Sequence, residues 1–360
     1  MLGGRNIYWK SLAENEGEGM LVYWVILGGL SVCMAGTALK ISKRAENVLY
    51  WTCAEILVLF SALRDFSVGA DTLNYCNGFE YIRQFSFQKA MKYGWEQGYV
   101  AINWLLGRFF DTPRSLIIFM AIFILTPFFL WIKKESRWPI LSLIVFVGMG
   151  MWNSSMFILR QWCAMAILTY SYKYIKERRF WPFLLSVIIA MLFHRTAAVF
   201  LLAYVVFYIP LNLLTVLLAL PISMMVGLFG KKILNILNHF ARISEEGNFN
   251  GGVSILIVLW LCVFATLICF GGHIPERLDF YFRFVLLAAA LQPIAFTFSN
   301  WARIVTYYSV SLSVFLPNVI MELTSGTSNN RMLRIPLGVV VCLLMMIWFK
   351  MIDVDTYIFM

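Results

Sequence analysis

Runs of about 20 apolar residues recur along the whole chain and constrain its fold more than any other feature. With 61% hydrophobic and 13% charged residues, the chain holds more apolar side chains than a soluble core could bury. Each run can cross roughly 30 Å of hydrocarbon as a helix, which predicts an all-α, polytopic integral membrane protein with roughly 11–13 transmembrane helices. We expect a single membrane domain over residues 1–360. The predicted spans are 20–39, 48–63, 113–132, 139–157, 158–175, 181–195, 196–209, 211–229, 253–271, 283–299, 301–317 and 335–351.

Short basic loops between the apolar runs indicate how the chain is oriented. A formal net charge of +10 could suggest a nucleic-acid partner. The cations cluster between spans instead, which is typical of the cytoplasmic side of a membrane protein. We therefore expect a lipid bilayer, and no nucleic acid, as partner. The four clusters assigned to the cytoplasm are Lys40 with Lys43 and Arg44, Lys133 with Lys134 and Arg137, Lys173 with Lys176, Arg178 and Arg179, and Arg331 with Arg334.

Residues 64–112 satisfy this orientation only if they remain outside as one extracytoplasmic loop. A full span at 98–110 would put the basic cluster at 133–137 on the wrong side. The stretch 98–110 contains aromatic residues and one arginine, which predicts an amphipathic helix lying on the membrane surface. Residues 1–19 are polar. They are interpreted either as a short soluble tail or as residues upstream of a true start at Met20, and the second interpretation is favoured.

Arginines at the ends of apolar runs indicate the kind of ligand. Arg160 and Arg303 each interrupt an apolar run, and Arg195 follows His194 in a third. A guanidinium in hydrocarbon is costly and keeps its charge, so it normally faces a partner or a water-filled cavity. In the predicted topology these residues and Arg64 all lie near the extracytoplasmic surface. We therefore expect a large anionic ligand at that surface.

Three carboxylates in the 64–112 loop are candidates for acid–base chemistry. Asp65 and Asp71 lie on either side of a glycine just outside a span, and Glu96 follows later. Such a group can accept the proton of a sugar hydroxyl or hold that hydroxyl by a hydrogen bond. The structural alternative is that Arg64 extends toward the surface and pairs with Asp65.

Polar neighbours of the other arginines suit phosphate oxygens. Gln161 adds a neutral donor beside Arg160, and arginine binds phosphate through two parallel hydrogen bonds. A lone histidine such as His194 is more often structural than catalytic, but its position beside an arginine favours a functional role. Tyr307 and Tyr308 could stack on sugar rings, but we expect them in the interfacial aromatic belt.

No cofactor is expected. The sequence has no C-x-x-C or cysteine–histidine spacing for zinc, and no nucleotide-binding or serine-hydrolase motif. The histidines fall in different segments, which argues against a histidine metal site. We therefore interpret the anion as the substrate and expect no metal.

Several short motifs follow one another along the chain. They are Arg64 with Val68-Gly69-x-Asp71-Thr72-x-x-Tyr75, then Glu96-x-Gly98-Tyr99, Arg160-Gln161-x-x-Ala164, Phe193-His194 and a late Arg303. In this order and spacing the chain resembles the EpsG-type branch of the Wzy-like polysaccharide polymerases of bacteria, over roughly residues 20–320. No motif is specific alone. The residue after the histidine is usually small in the family, so no role carries over to Arg195.

The resemblance implies an enzyme of the bacterial cytoplasmic (inner) membrane that joins oligosaccharide repeat units carried on undecaprenyl diphosphate. The product would be a capsular, exopolysaccharide or O-antigen chain, made at the outer face without a metal. A flippase and a chain-length regulator are candidate partners. The implied diphosphate-binding residues are Arg160 and Arg303, with Arg64, Gln161 and His194 as further candidates. The implied base is Asp71 or Asp65, and Glu96 is a weaker candidate.

Three other functions fit some of the same features. An O-antigen ligase would use the same lipid donor, but ligases usually carry a larger late external loop than the 230–252 loop here. A membrane O-acyltransferase would put a histidine near arginines. A non-enzymatic transporter or flippase would spread its cations through a central cavity rather than along one face.

Overall fold

The computed structural model describes residues 3–38, 41–230, 232, 252–296, 301–325, 330–352 and 357–358. Within these ranges the regular secondary structure is helical, without strands. The longer helices are α1 (Gly3–Ala38), α2 (Lys43–Leu63), α5 (Gln97–Phe109), α6 (Arg114–Glu135), α11 (Phe180–Met191), α13 (Leu213–Leu228), α14 (Val253–Cys269), α15 (Glu276–Leu291), α17 (Leu312–Leu323) and α18 (Asn330–Met351). The shorter ones are α3 (Thr72–Ile82), α4 (Phe87–Ala90), α7 (Pro139–Gly148), α8 (Met151–Phe157), α9 (Leu159–Leu168), α10 (Tyr172–Lys176), α12 (Leu201–Val205) and α16 (Trp301–Ser309).

The prediction of an all-α, multi-pass membrane protein is confirmed. Among the described residues, 6 helical segments are long and apolar enough to cross a membrane. They are Met20–Thr37, Lys43–Leu63, Arg114–Glu135, Glu276–Phe296, Trp301–Leu323 and Met332–Met351. The shorter apolar helices Phe180–Met191, Arg195–Tyr208, Leu213–Leu228 and Val253–Cys269 coincide with four further predicted spans. These four fall short of the roughly 20 residues that a straight crossing needs.

The predicted span 139–157 is broken into two helices. Helices α7 and α8 meet at an angle of 59°. Gly150 lies at the break with φ of 73°, a left-handed conformation that glycine adopts without strain. At the other end of α8, the carbonyl oxygen of Met156 lies in the last helical turn and accepts a hydrogen bond from Arg64, the residue that follows α2.

The two ends of α6 mark the two ends of the helix bundle. Its 22 residues span about 33 Å. At one end, Glu135 pairs with Lys176, and Arg137 pairs with Glu322. The predicted basic clusters at 133–137 and 173–179 therefore meet there. We call this the basic end.

At the opposite end of α6, Arg114 donates to the carbonyl oxygen of Arg64 at 2.5 Å. The chain's last described residues return to this end, because the Asp65 amide donates to the carbonyl oxygen of Ile358 at 2.8 Å. Helices α2, α6 and α18 thus run between the same two ends. The polar motifs of residues 64–75 lie at the end opposite the basic one, as the orientation argument requires.

Helices α3 to α5 form a small layer of their own at the end opposite the basic one. Ile82, Ala90 and Val100 make its core, and the Trp104 indole donates to the carbonyl oxygen of Phe85 at 3.0 Å. Helix α5 covers the stretch for which an amphipathic helix is predicted. One side of α5 is buried, while the Phe109 side chain is 74% exposed. Its position on the membrane surface stays a prediction.

Candidate functional site

Glu96 lies at the junction between the α3–α5 layer and the rest of the bundle. It immediately precedes α5, in extended conformation. Two residues later, the Gly98 amide donates to the carbonyl oxygen of Leu192 at 2.8 Å. A Cβ on residue 98 would lie 2.8 Å from that same oxygen. Glycine is therefore required here, because only a residue without a side chain lets the start of α5 approach the end of α11 so closely.

The Glu96 carboxylate contacts groups from two distant segments. Its Oε2 atom accepts a hydrogen bond from Nη1 of Arg160 at 2.7 Å. Its Oε1 atom accepts one from the Arg195 backbone amide at 3.3 Å and lies 3.4 Å from Nδ1 of His194. The side chain of Glu96 is 9% exposed and that of Arg160 is 26% exposed. This arrangement holds the start of α9 and the 192–195 turn against the α3–α5 layer.

Burial by itself raises the pKa of Glu96, but its neighbours outweigh that effect. The close His194 imidazole, the Arg160 guanidinium and a backbone hydrogen bond all favour the ionised form and bring the pKa down to about 2. Glu96 is therefore a carboxylate at every physiological pH. A group with so low a pKa is a poor proton acceptor near neutrality, so the geometry suits Glu96 for positioning its cationic neighbours.

Aromatic side chains surround the Arg160 guanidinium. The Trp95 ring centroid lies 5.6 Å from its Cζ atom, and the Tyr75 phenol interacts with it. Trp95, Tyr75 and Tyr99 pack against one another with centroids 5.4–5.6 Å apart. Burial raises the pKa of Tyr75, which keeps its phenol protonated. Trp95 and Tyr75 thus add to the contact with Glu96 in restraining the guanidinium of Arg160.

Arg303 joins the same region through its neighbours. The Gln161 side-chain amide donates to the carbonyl oxygen of Arg303 at 2.5 Å. One turn further along α16, the Tyr307 hydroxyl lies 3.1 Å from that of Thr196. These contacts bring the start of α16 to the start of α9 and to the 194–196 turn. The Arg303 side chain is exposed and forms no ion pair with the described residues.

A cleft with a cavity of about 320 Å³ lies beside Glu96, between the α3–α5 layer and the end of α11. Its charged lining residues are Glu96 and Arg195. The exposed Arg195 side chain forms no ion pair with the part of the chain that the structure describes. The remaining lining residues are Met91, Tyr93, Gly94, Trp95, Gln97, Met191 and Leu192.

The comparison with known proteins indicates which class carries this site. The EpsG family model matches residues 47–360, which is most of the chain. The chain belongs to the EpsG family. No curated protein and no solved structure matches it. The suspected resemblance is confirmed, and membership supports a Wzy-like, polymerase-type role in polysaccharide biosynthesis at a bacterial membrane.

In the first motif of this EpsG-family protein, Arg64 and Asp65 bond to backbone groups and to a nearby serine rather than to another charged side chain. Arg64 is 1% exposed and donates to the carbonyl oxygens of Ser61 and Met156, the latter at 2.5 Å. Asp65 accepts from the amide and hydroxyl of Ser67 at 2.9 and 2.7 Å. The two side chains form no ion pair with each other, so the alternative in which Arg64 pairs with Asp65 is wrong. Asp71 is half-buried just before α3, and its carboxylate has no bond among the described residues.

The predicted site residues of this EpsG-family protein thus separate into two sets. Glu96 contacts both Arg160 and His194, and Gln161, next to Arg160 in the chain, bonds to Arg303. The Gln161 side chain is 2% exposed and already donates to a backbone oxygen. Arg64 and Asp65 lie in the separate set described above.

Four aromatic residues differ from the sequence prediction, two in their burial and two in their contacts with Arg160. Tyr307 and Tyr308 are 1% and 0% exposed, so the prediction of an interfacial belt is wrong. Tyr308 packs against Phe200 and Phe284, and the buried hydroxyls of the two tyrosines are satisfied by Thr196 and by the carbonyl oxygen of Val199. The contacts of Tyr75 and Trp95 with Arg160 were not predicted, although one belongs to the first motif and the other adjoins Glu96. The described residues contain no cluster of three or more metal-ligating side chains.

Proposed function

We propose that this protein polymerises undecaprenyl-diphosphate-linked oligosaccharide repeat units at the outer face of the bacterial cytoplasmic membrane. The observation that supports it best is the pairing of Glu96 with Arg160 beside two further arginines, Arg195 and Arg303, that lack carboxylate partners among the described residues. The group lies at the end of the bundle opposite the basic loops. By the positive-inside rule, the basic end faces the cytoplasm.

In the proposed reaction, a hydroxyl of the acceptor sugar attacks the anomeric carbon of the donor chain. A new carbon–oxygen bond forms, and the bond from that carbon to the diphosphate oxygen breaks. The diphosphate keeps the electron pair, so negative charge grows on it as it leaves. Fixed cations stabilise such charge. We assign this role to Arg303 and to the exposed part of Arg160, with His194 beside them.

The hydroxyl proton needs an acceptor, and Asp71 is the proposed base. Asp65 is occupied by two hydrogen bonds from Ser67, and Glu96 is too acidic and too enclosed by cations. Asp71 is half-buried, has no competing bond among the described residues, and lies near Tyr75. We assign Glu96 the positioning of Arg160, and Arg64 the support of the loop that carries Asp71.

A deletion strain complemented with variants tests the proposal. Surface polysaccharide would be analysed on gels and lipid-linked sugars by mass spectrometry. Loss of long chains, with a single lipid-linked repeat unit accumulating, supports a polymerase. Arg303→Ala and Arg160→Ala should reproduce that loss while the protein remains in the membrane. Lys92→Ala is the control, because Lys92 is exposed in the same layer and does not line the cleft.

Other outcomes assign other functions. Long chains stranded on the lipid carrier would indicate an O-antigen ligase. Chains of normal length that lack only acyl groups would indicate an O-acyltransferase. Repeat units that accumulate at the inner face would indicate a transporter. Normal chain length in both arginine variants would overturn the diphosphate assignment. The product class, whether capsule, exopolysaccharide or O-antigen, follows from the polymer that disappears, and a flippase and chain-length regulator are its expected partners.

A further inference from the structure

The cleft beside Glu96 has a surplus of positive charge. Glu96 and Arg195 are its charged lining residues. The negative charge of Glu96 is already offset by Arg160, which bonds to its Oε2 atom. Arg195 therefore leaves the cleft one positive charge that no carboxylate in the described structure balances. A site of this kind favours an anionic group on its ligand.

The shape and lining of the cleft suit a sugar ring. A cavity of about 320 Å³ is at the small end of ligand pockets, which hold roughly 300–1,000 Å³. The rings of Tyr93 and Trp95 line it, with centroids 4.7 Å apart in an edge-to-face pair. Aromatic walls with one or two fixed polar groups are typical of small-molecule sites. The cleft is open to the surface and has room for about one glycosyl residue.

The turn that carries Arg195 is fixed at several points. The Arg195 amide donates to Glu96, and the next residue, Thr196, is bonded through its hydroxyl to Tyr307. Arg195 thus extends from a restrained backbone rather than from a free loop, so less freedom is lost when its guanidinium binds. Neither Arg160 nor Arg303 lines the cleft. The cation of the cleft is separate from the two assigned to the diphosphate.

We propose that this cleft binds one sugar of the repeat unit, and that Arg195 selects a carboxylate on that sugar. The guanidinium forms paired hydrogen bonds with a carboxylate, a geometry that lysine cannot match. Tyr93 and Trp95 supply the wall for the ring. The preferred substrate would then be an oligosaccharide that contains an acidic sugar such as a hexuronic acid. This inference rests on the proposed function and names its substrate class.

The test uses the full-length protein in proteoliposomes and the lipid-linked repeat unit that accumulates in the deletion strain. Half of that material is carboxyl-reduced, which converts each acidic sugar into its neutral counterpart and leaves the rest of the molecule the same. Polymerisation of the two forms is followed for the wild type, Arg195→Ala, Arg195→Lys, Tyr93→Ala and the control Lys92→Ala. The readout is the ratio of kcat/KM for the acidic form to that for the neutral form.

We expect the wild type and Lys92→Ala to prefer the acidic form by about tenfold or more, equivalent to about 1.4 kcal/mol. Arg195→Ala should abolish the preference by raising KM for the acidic form alone, and Arg195→Lys should restore only part of it. Tyr93→Ala should lower kcat/KM for both forms by a similar factor and leave their ratio unchanged, because it removes the aromatic wall and keeps the charge of Arg195.

Three results would overturn the inference and leave the proposed polymerase function unaffected. The native repeat unit could contain no carboxylate, or the wild type could polymerise both forms equally well. Arg195→Ala could also lower kcat/KM for both forms by the same factor. That result would assign Arg195 to the diphosphate, which the two forms share. Failure of the proposed function gives a different result, because then no single lipid-linked repeat unit accumulates at the outer face of the membrane in the deletion strain.

Discussion

Two segments at the same end of the bundle both combine arginine with carboxylate, yet the fold uses them differently. In the 64–71 loop, Asp65 bonds only two residues away, and Arg64 bonds to backbone oxygens. Around Glu96, the carboxylate bonds to Arg160, which is 64 residues away, and to the amide of residue 195, which is 99 away. Bonds to a neighbouring hydroxyl and to neutral backbone oxygens hold a loop in place. A carboxylate that pairs with a cation from another element brings charged side chains together into one site.

The two arginines show the consequence most clearly. The Arg64 side chain is buried, and its guanidinium donates hydrogen bonds to neutral carbonyl oxygens of α2 and α8. Arg160 bonds to a charged partner and keeps part of its surface open. A substrate anion can reach the second arginine but not the first. Substitutions should therefore separate a folding role at residue 64 from a functional role at residues 96 and 160.

Among the substitutions that test this comparison, Glu96→Ala should have the largest effect. Removing the carboxylate leaves Arg160 partly buried without its counter-charge, and breaking a buried pair in this way costs about 3–5 kcal/mol. Partial exposure of Arg160 reduces that cost. We expect polymer yield to fall on the order of 100-fold, because a misplaced cation no longer stabilises the leaving group. Polymer per unit of membrane-inserted protein, measured on gels and blots, checks this.

Glu96→Gln is the matched variant. It keeps the size and one hydrogen-bond acceptor but loses the charge that balances Arg160. If Glu96 acts by positioning, we expect an intermediate yield and an unchanged pH profile. A Gln variant with wild-type yield would show that the charge of Glu96 does not matter. A shifted basic or acidic limb in the pH profile would instead identify Glu96 as a proton-transfer group.

Arg64→Met should mainly reduce the amount of folded protein. The change leaves the carbonyl oxygens of Ser61 and Met156 buried without their donor, at a cost of about 1–3 kcal/mol for each. Thermal stability of the purified protein in detergent should fall accordingly. The folded fraction should keep the wild-type KM for lipid-linked substrate. A raised KM at normal stability would contradict the comparison and return Arg64 to the diphosphate site.

Sequence patterns predicted the features that depend on local order. The apolar runs gave most of the spans, and the aromatic stretch at 98–110 coincides with α5. The basic clusters at 133–137 and 173–179 do meet at one end. Glu96 was ranked below Asp65 and Asp71, because no local pattern shows that α5 packs against residues 192–195. The burial of Tyr307 likewise depends on its contact with Thr196, 111 positions away. Such contacts are set by packing between elements.

Gly98→Ala should have a smaller effect that tests how the α3–α5 layer is held. The new Cβ would meet the Leu192 oxygen at 2.8 Å and the Leu192 Cβ at 2.9 Å. Overpacking of this kind costs about 1–3 kcal/mol. Because the displaced backbone carries Glu96, we expect polymer yield to fall several-fold. Gly29→Ala is the control, since nothing lies within 4 Å of a Cβ there and Gly29 does not line the cleft. Equal yields from the two variants would show that the layer does not depend on this approach.

Asp65→Asn should have the smallest effect. The lowered pKa of Asp65 determines how the effect of this substitution on stability changes with pH. Hydrogen bonds from the amide and hydroxyl of Ser67 lower the pKa of Asp65 below its ordinary value of 3.8. A carboxyl whose pKa is lower in the folded state stabilises the fold above its unfolded pKa. That contribution is lost as the pH falls through the folded value. For a largely solvated turn it amounts to about 0.5–1 kcal/mol.

The melting temperature of wild type and Asp65→Asn, measured from pH 7 down to pH 3, checks this. The two proteins should differ by a few degrees at pH 7, and the difference should shrink once the pH falls below 3.8 toward the lowered pKa of Asp65. Polymer yield at pH 7 should stay within about twofold of wild type. The substitution lowers the free energy of unfolding by only about 1 kcal/mol, and Asp65 is not expected to contact the reacting atoms. A large loss of polymer with an unchanged melting temperature would instead make Asp65, rather than Asp71, the proton acceptor, and would remove the distinction between the local loop and the assembled site.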